Sequence, residues 1–468
     1  AIVKEYFMGK IKERWFFICL ILIIGLTTVM MTVMFGYQDL VSQTAWSVNI
    51  WDLLVEGDLG NFFTYTEQNL RGSAAENCAG NWLTLIPMAI WNLPLWITHY
   101  FGGITPVVSQ VCLVWSKLLF VFTNFVSAWY AYKIVAKITA DKQLALYAVP
   151  LITGSAEILL SVGYAGQDET VYLAAVMIMI WLWMNKNKVG FLVWSIIAIT
   201  LCPLMLVPFL ILVMLCEKNI IKILICTGLT LLPSVLFEII YAGDPGYQYV
   251  TQEMPGFIST SQFVTTMLQS STIGTAFGPV SIPGILFVFI FFICYCLKLN
   301  NDMEIKYGIY LVALGMTVTA TLMSGYSYRY CIYVPFLTVL VLVMHPENRK
   351  MNLFLMMILT YVRTLFCTNT APFFDSEWLF TKYQKGFILP QGDETAHFMQ
   401  ILSQNHSEMG MILFISMAVL VAVIILLFII NYPKFNFKLE IEVDEKVSLL
   451  IYSLCMPAFL VLFWCVFH

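Results

Sequence analysis

The stretch NWLTLIPMAIWNLPLWIT, residues 81–98, holds no charged side chain. It is close to the roughly 20 apolar residues that a membrane-spanning helix needs. Whether it crosses a bilayer decides on which side every later loop lies. The runs that reach spanning length or approach it are 14–36, 106–132, 142–162, 170–185, 189–200, 203–216, 219–241, 281–299, 306–325, 330–344, 351–368, 409–431 and 447–467. With the N-terminus in the cytoplasm and 81–98 not crossing, the inner segments collect Lys133, Lys137, Lys142, Lys186, Lys188, Lys218, Lys222, Lys298, Lys306, Arg349, Lys350, Lys434, Lys438 and Lys446. Together with Lys4, Lys10, Lys12 and Arg14, that is 18 of the chain's 24 Lys and Arg. The outer segments hold only Arg71, Arg329, Lys382 and Lys385. This is the asymmetry of the positive-inside rule. A crossing at 81–98 would invert every later loop and reverse the bias. The charges therefore predict one long outer segment, 37–105, with 40–56 and 81–98 lying along the membrane surface as amphipathic helices.

Composition points the same way. The chain is 60% hydrophobic and 11% charged, with a mean hydropathy of +0.83, against about 25% charged for soluble domains. The expectation is an all-α, polytopic transmembrane bundle of about 13 spans, forming one domain over 1–468, with outer loops at 37–105, 243–280 and 369–408. The pair 189–200 and 203–216 is short and split by Cys202-Pro203, which suits either two half-depth helices or one kinked span. Most of the 12 cysteines sit in or beside apolar runs, with Cys78 in an outer loop. That pattern suggests neither a zinc site nor a disulfide framework. The apolar run Trp15–Phe35 is too long for a signal h-region and fits a first anchor. The segment 432–446, YPKFNFKLEIEVDEK, alternates apolar and charged residues and is expected to be a cytoplasmic connector. Nothing marks the chain as a nucleic-acid binder.

The outer face is acidic, and four features there or within the spans carry chemistry. Asp39, in GYQDLVSQ, opens the long first outer segment; it is a helix-flanking carboxylate by residue type. In SVGYAGQDETVYLAA, residues 161–175, one run ends and the next begins through Gly163 and Gly166. Asp168 suits an N-cap there and Glu169 a first helical turn. Equally, Gln167-Asp168-Glu169 places carboxylates at the lipid boundary, where they suit proton abstraction or the holding of sugar hydroxyls. In GYSYRY, residues 325–330, Arg329 stands among Tyr326, Tyr328, Tyr330 and Tyr333. An aromatic belt explains the tyrosines; a cation on a face depleted of them suits a phosphate oxyanion. Lys117, Glu157, Glu238 and Arg363 fall within spans, where ionisable groups face the bundle interior or a wet cavity. Glu157 and Glu238 suit either a shared cavity or pairing with Arg363. No Walker, GxSxG, HExxH or dinucleotide pattern occurs.

Together these features resemble the GT-C superfamily of membrane glycosyltransferases. The resemblance rests on an acidic residue at the start of a long first outer loop (Asp39), on Gly166-Gln167-Asp168 in a later outer loop, and on a basic residue at the outer end of a late helix (Arg329 in YSYRYCIYVPF). Many relatives carry an Asp-Glu pair in the first loop, where this chain has Gln38-Asp39-Leu40. A large C-terminal soluble domain like that of oligosaccharyltransferases is not expected.

The resemblance implies a polyprenyl-phosphate-linked sugar as donor and a glycan, lipid or protein as acceptor, with the active site on the extracytoplasmic side of an integral membrane protein. It implies Asp39 as general base, with Asp168 and Glu169 positioning hydroxyls or supplying that base. Arg329 would hold the donor phosphate, and Gln167, Tyr326 and Tyr328 would bind substrate. No cofactor is implied; a divalent metal is compatible with the pattern but not required by it. The competing readings are a transporter or flippase of lipid-linked glycan, an O-antigen-type polymerase or ligase, and a non-catalytic scaffold. The first wants repeats and polar residues at depth. The second wants arginine-rich outer loops, whereas 243–280 holds no Lys or Arg.

Overall fold

The computed structural model describes residues 2–34, 38–70, 82–102, 110–253, 265, 269, 271–276, 278–323, 331–367, 409–435 and 437–467. The described chain is almost wholly helical. The helices are α1 (Ile2–Met34), α2 (Gln38–Glu56), α3 (Phe62–Leu70), α4 (Trp82–Trp91), α5 (Leu93–Gly102), α6 (Gln110–Thr139), α7 (Lys142–Leu146), α8 (Ala148–Thr153), α9 (Ala156–Leu159), α10 (Glu169–Met184), α11 (Lys188–Leu201), α12 (Leu206–Cys216), α13 (Ile220–Tyr241) and α14 (Pro245–Glu253). A hairpin of β1 (Thr272–Thr275) and β2 (Gly278–Ser281) follows, antiparallel, with Thr272 opposite Ser281. Then come α15 (Ile282–Cys296), α16 (Asn301–Val318), α17 (Val334–Val343), α18 (Arg349–Cys367), α19 (Met409–Ile430), α20 (Glu445–Ser453) and α21 (Cys455–Phe467).

Among the described residues, four helical segments are long and apolar enough to cross a membrane: Arg14–Val33, Val111–Thr139, Ile220–Tyr241 and Asn301–Leu322. Two bent pairs raise the number to six if each is one span. Several other predicted runs form shorter apolar helices, such as Glu169–Met184 and Ile282–Cys296. At 1.5 Å per residue, a 16-residue helix is about 24 Å long, less than the hydrocarbon core of about 30 Å. Length and apolarity thus carry the expected count of about 13 only to between four and six.

Helix α6 is the hub, packing against α1, α2, α4, α8, α10 and α17. Its buried face includes Ala128 and Ala131, small residues that let backbones approach closely. The lipid-like exterior falls on α1, α13, α15 and α19, where large apolar side chains such as Leu26, Ile240, Val288 and Phe414 are exposed.

The segments expected inside meet one another at one end of the bundle. Lys137 Nζ donates to Asn185 Oδ1 (2.6 Å), and Lys218 Nζ to the Cys294 carbonyl (2.7 Å). His345 Nε2 lies 2.8 Å from the Tyr432 carbonyl, and Arg349 Nε donates to Glu445 Oε2 (2.9 Å). The turns there are punctuated by side-chain N-caps: Asp141, Asn187, Asn219, Asn300 and Asp444 each accept from a backbone N–H in the first turn of the helix that follows. The 432–446 connector runs along this end, pinned where Asn348 Nδ2 donates to the Phe437 carbonyl (2.9 Å) and Leu439 N–H donates to Asn348 Oδ1 (2.8 Å).

The Cys202-Pro203 break is a hairpin. Lys188, which opens α11, and Cys216, which ends α12, line one cavity, so the two helices run out and back; a kinked single span would separate those ends. Another pair, Cys331–Val343 and Pro346–Thr364, bends by 107°. Tyr333 and Thr360 both reach Glu157, which closes that V. By contrast, 447–467 is broken after Ser453 instead of continuous. Pro457 is the third residue of α21, and proline suits a first turn, where its missing N–H is no loss.

The first outer segment folds as a small module, described over 38–70 and 82–102. Helix α2 lies along α4, joined where Trp51 Nε1 donates to the Ala89 carbonyl (2.7 Å) and Asn92 Nδ2 to Ser47 Oγ (3.0 Å). Residues 81–98 break at Asn92 into α4 and α5, consistent with no straight span there. A second core, separate from the main one, unites Trp46, Phe62 and Phe63 with Phe237, Tyr241 and Tyr247. Thr64 Oγ1 also donates to Asp244 Oδ1 (2.8 Å). The 38–70 segment and the chain around 237–247 are therefore one packed unit. The 369–408 segment lies outside the described residues.

A candidate site around the Gly166-Gln167-Asp168 turn

The site begins with Lys117, fully buried in the second turn of α6. An ammonium there must be solvated by protein groups. Its Nζ donates to the Gly163 carbonyl at 2.6 Å and to the Thr32 carbonyl at 3.4 Å. Thr32 lies in the last turn of α1, where carbonyls have no intrahelical partner and carry the negative end of the helix dipole. Gly163 lies in a π-helical turn, 160–165, that continues α9. Lys117 thus caps two chain segments at once and draws them together.

That convergence is close. A Cβ at Gly163 would overlap Met31 Cβ, so only glycine lets the turn lie against α1. Gly166 has φ +60° and ends the π turn in the left-handed region that glycine tolerates best. A Cβ there would also press on Leu40 at 3.1 Å and on Lys117 Cε at 3.3 Å. Leu40 follows Asp39, and both lie in the first turn of α2. The turn carrying Asp168 therefore packs on the turn of α2 that carries Asp39.

The rest of the motif is held from below. Gln167 is buried, and its N–H donates to the Ser161 carbonyl (3.0 Å). Ser161 Oγ donates to Glu169 Oε2 (2.9 Å), and Glu169 is 1% exposed. Ser161 thus clasps both ends of the turn. Glu169 sits at the positive end of α10. Asp168 occupies the N-cap position of α10 but makes no capping bond with its side chain, and it is half-buried. Of the two carboxylates, Asp168 is the one with access to a ligand, and Glu169 anchors the turn. Thr170 Oγ1 fixes the start of α10 to α6 by donating to the Phe120 carbonyl (3.0 Å).

Sequence reasoning had no signal for Ser161. A buried polar chain behind α2 was equally hidden: Thr44 Oγ1 donates to Ser116 Oγ (3.0 Å), which donates to Asn92 Oδ1 (3.1 Å). It spans α2, α6 and the α4–α5 junction, one residue from Lys117. Hydroxyls of this kind are common in helices, and only packing shows which ones meet.

Arg329, Tyr326 and Tyr328 lie outside the described residues, but the residues flanking them do not. Arg363 Nη1 donates to Thr321 Oγ1 (3.4 Å), and its guanidinium lies 5.1 Å from the Tyr333 ring centre. Arg363 therefore touches the chain on both sides of the Tyr-Arg segment. The Tyr333 hydroxyl donates to Glu157 Oε1 (2.8 Å), while Ser155 Oγ and Thr360 Oγ1 each donate to Oε2 (2.7 Å). Glu157 and Arg363 do not form the direct ion pair that is one of the two expectations; each instead touches Tyr333, Glu157 at its hydroxyl and Arg363 at its ring face. Glu238 lies elsewhere, on α13, which packs against α11. Among the described residues, no three His, Cys, Asp or Glu side chains converge to hold a metal ion.

No family model matches the chain, and neither does any curated protein or solved structure.

Proposed function

We propose that this protein is a membrane glycosyltransferase that moves a sugar from a polyprenyl-phosphate donor to an acceptor hydroxyl at the extracytoplasmic face. One observation carries the reading: the α2 turn bearing Asp39 packs through Leu40 on Gly166, in the turn bearing Asp168. Two acidic residues 129 positions apart in the chain thereby share one corner of the bundle.

The chain threads the bilayer about 13 times, with the start of α1 in the cytoplasm and the Lys-rich turns 137–142, 186–188, 218–222 and 349–350 inside. Supporting this are the mutual contacts among those turns and the positive-inside rule. Asp39 accepts the proton of the acceptor hydroxyl. The oxygen attacks the anomeric carbon from the face opposite the phosphate, the carbon–oxygen bond to phosphate breaks with its electron pair on the phosphate, and configuration inverts. Asp168 orients sugar or acceptor hydroxyls, and Glu169 keeps the turn in place through Ser161. Arg329 neutralises the leaving phosphate. A carboxylate beside the nucleophile and a cation beside the leaving group each favour the transition state.

The test is transfer from a radiolabelled polyprenyl-phosphate sugar by the purified, reconstituted protein. Loss of transfer in Asp39→Asn and in Arg329→Gln, with binding of the donor retained in the first, is the expected result. Full activity in Asp39→Asn would remove the proposed base.

A further inference from the structure

The opposite end of the bundle holds a cavity that glycosyl transfer does not use. Its volume is about 570 Å³, inside the roughly 300–1,000 Å³ range of small-molecule sites. It lies between the end of α10, the α11–α12 hairpin, and the starts of α13 and α16. The deep wall is apolar. Phe209 and Leu212 are buried there, and Phe191 stacks on Phe209 with ring centres 5.8 Å apart.

The polar side is basic. Lys186, Lys188 and Lys222 line it, with Glu217 and Glu304. Glu217 pairs with Lys222 at 3.5 Å, while Glu304 accepts from the Cys216 thiol at 3.0 Å and keeps its charge, near enough to Lys218 to interact with it; the lysines still outnumber the carboxylates in the lining. Lys186 and Lys188 are exposed and form no ion pair with a described residue. Lys188 opens α11, Lys222 lies in the first turn of α13, and Asn301 opens α16. These three positive helix ends are offset in part by the negative ends of α10 at Met184 and α12 at Cys216, which also line the cavity, so the lysines carry its positive charge. Beside the cavity, Ile220, Ile221, Leu224 and Ile225 are more than half exposed. Ile225 also lines the cavity, so its mouth opens on the lipid-facing flank of α13.

We infer that this cavity binds an anionic phospholipid, with the headgroup phosphate at Lys186 and Lys188 and one acyl chain along Phe191, Phe209 and Leu212. A water-soluble anion has no use for the apolar wall, and a zwitterionic lipid gains little from two cations with no carboxylate partner. A basic pocket between helices that opens on the bilayer is the arrangement that selects anionic headgroups. The site is at the far end of the bundle from Asp39 and Asp168, and its occupancy does not depend on the transfer reaction.

The test uses the purified full chain in neutral detergent and follows its unfolding temperature during titration with dioctanoyl phosphatidylglycerol, dioctanoyl phosphatidylcholine or sodium phosphate. Phosphatidylglycerol is expected to raise the unfolding temperature saturably, while the other two leave it unchanged. Lys186→Gln with Lys188→Gln should raise the half-saturating lipid concentration by roughly tenfold, two headgroup contacts being lost. Lys350→Gln with Lys434→Gln, at the same end but outside the cavity, should leave it where it was. Equal stabilisation by phosphate or phosphatidylcholine would overturn the proposal. So would a loss in the Lys350/Lys434 variant as large as in the cavity variant.

Discussion

Lys117 Nζ and the Gly163 carbonyl lie 2.6 Å apart in the interior of the bundle, and the same ammonium reaches the last turn of α1 at Thr32. One buried cation thus supplies what two helix ends lack. Its removal leaves two carbonyls without a donor in a dry place, at about 1–3 kcal/mol each. Lys117→Met is therefore expected to lower the unfolding temperature and to abolish transfer, because the Asp168 turn loses its seat. Lys117→Arg should not rescue either property; a longer planar head does not fit beneath Gly166, where Lys117 Cε already comes within 3.3 Å of the Cβ position. Thermal melts of the two variants, with transfer measured in parallel, check this. Wild-type stability in Lys117→Met would show that the two carbonyls find other donors.

Gly163 and Met31 form a second testable pair. Gly163→Ala places a Cβ on Met31 Cβ, and helix α1 must move away. Overpacking of this kind costs about 1–3 kcal/mol. Met31→Gly removes the clashing atom, but Met31 is fully buried, so it also empties a core site at about 2–5 kcal/mol in addition to a helix-interior cost of about 1 kcal/mol. The double variant should therefore lose less stability than the sum of the two single losses, a non-additivity that a double-mutant cycle reads directly. Additive losses would mean that the two backbones are not in contact.

How much of this is legible in the chain itself can be judged residue by residue. The helix starts at Asp141, Asn187 and Asn219 are legible because a residue suited to an N-cap stands next to a lysine there, and Asn300 lies two residues from Lys298. The corner at Cys202-Pro203 is legible as a break, since proline leaves a backbone acceptor unpaired. Its shape, a hairpin, is not, because that depends on which helices α11 and α12 pack against. Lys117 is legible as exceptional, yet the sequence alone cannot show that its ammonium caps α1 and the 160–165 turn. Those partners are backbone carbonyls, which every residue has. For the same reason the clasp of Ser161 on Glu169 leaves no mark, and Glu169 reads as a candidate base until its burial is seen. The break before Cys455 lies inside an apolar run in which Pro457 is the only cue.

Glu157 accepts three hydroxyl bonds, from Ser155, Tyr333 and Thr360. Glu157→Ala leaves all three donors buried and unmet, whereas Glu157→Gln keeps an acceptor oxygen. The alanine variant should be the less stable by several kcal/mol, at about 1–3 kcal/mol per orphaned group. Tyr333→Phe alone removes one donor together with its need for an acceptor, and should cost less. Chemical denaturation in a mixed micelle gives the order. If Glu157→Gln proved as damaging as Glu157→Ala, charge on the carboxylate rather than acceptor geometry would be what the V of α17 and α18 requires.

The two acidic residues that share the corner should separate kinetically. Asp39 is assigned proton transfer, which contributes roughly 100- to 10,000-fold to rate. Asp39→Asn should therefore lower kcat within that range and leave KM for the donor near its wild-type value. Asp168, half-buried and making no capping bond, is assigned the orientation of hydroxyls. Asp168→Asn keeps a polar head of the same size and should raise KM more than it lowers kcat. Glu169→Gln still accepts from Ser161 and should be nearly silent in kcat, whereas Ser161→Ala frees the turn and should impair both parameters. Steady-state kinetics of the four variants with a labelled polyprenyl-phosphate sugar decide the matter. A kcat collapse in Glu169→Gln with an unchanged melting curve would transfer the base role from Asp39 to the buried carboxylate. The corner would remain the site, with its chemistry one turn deeper.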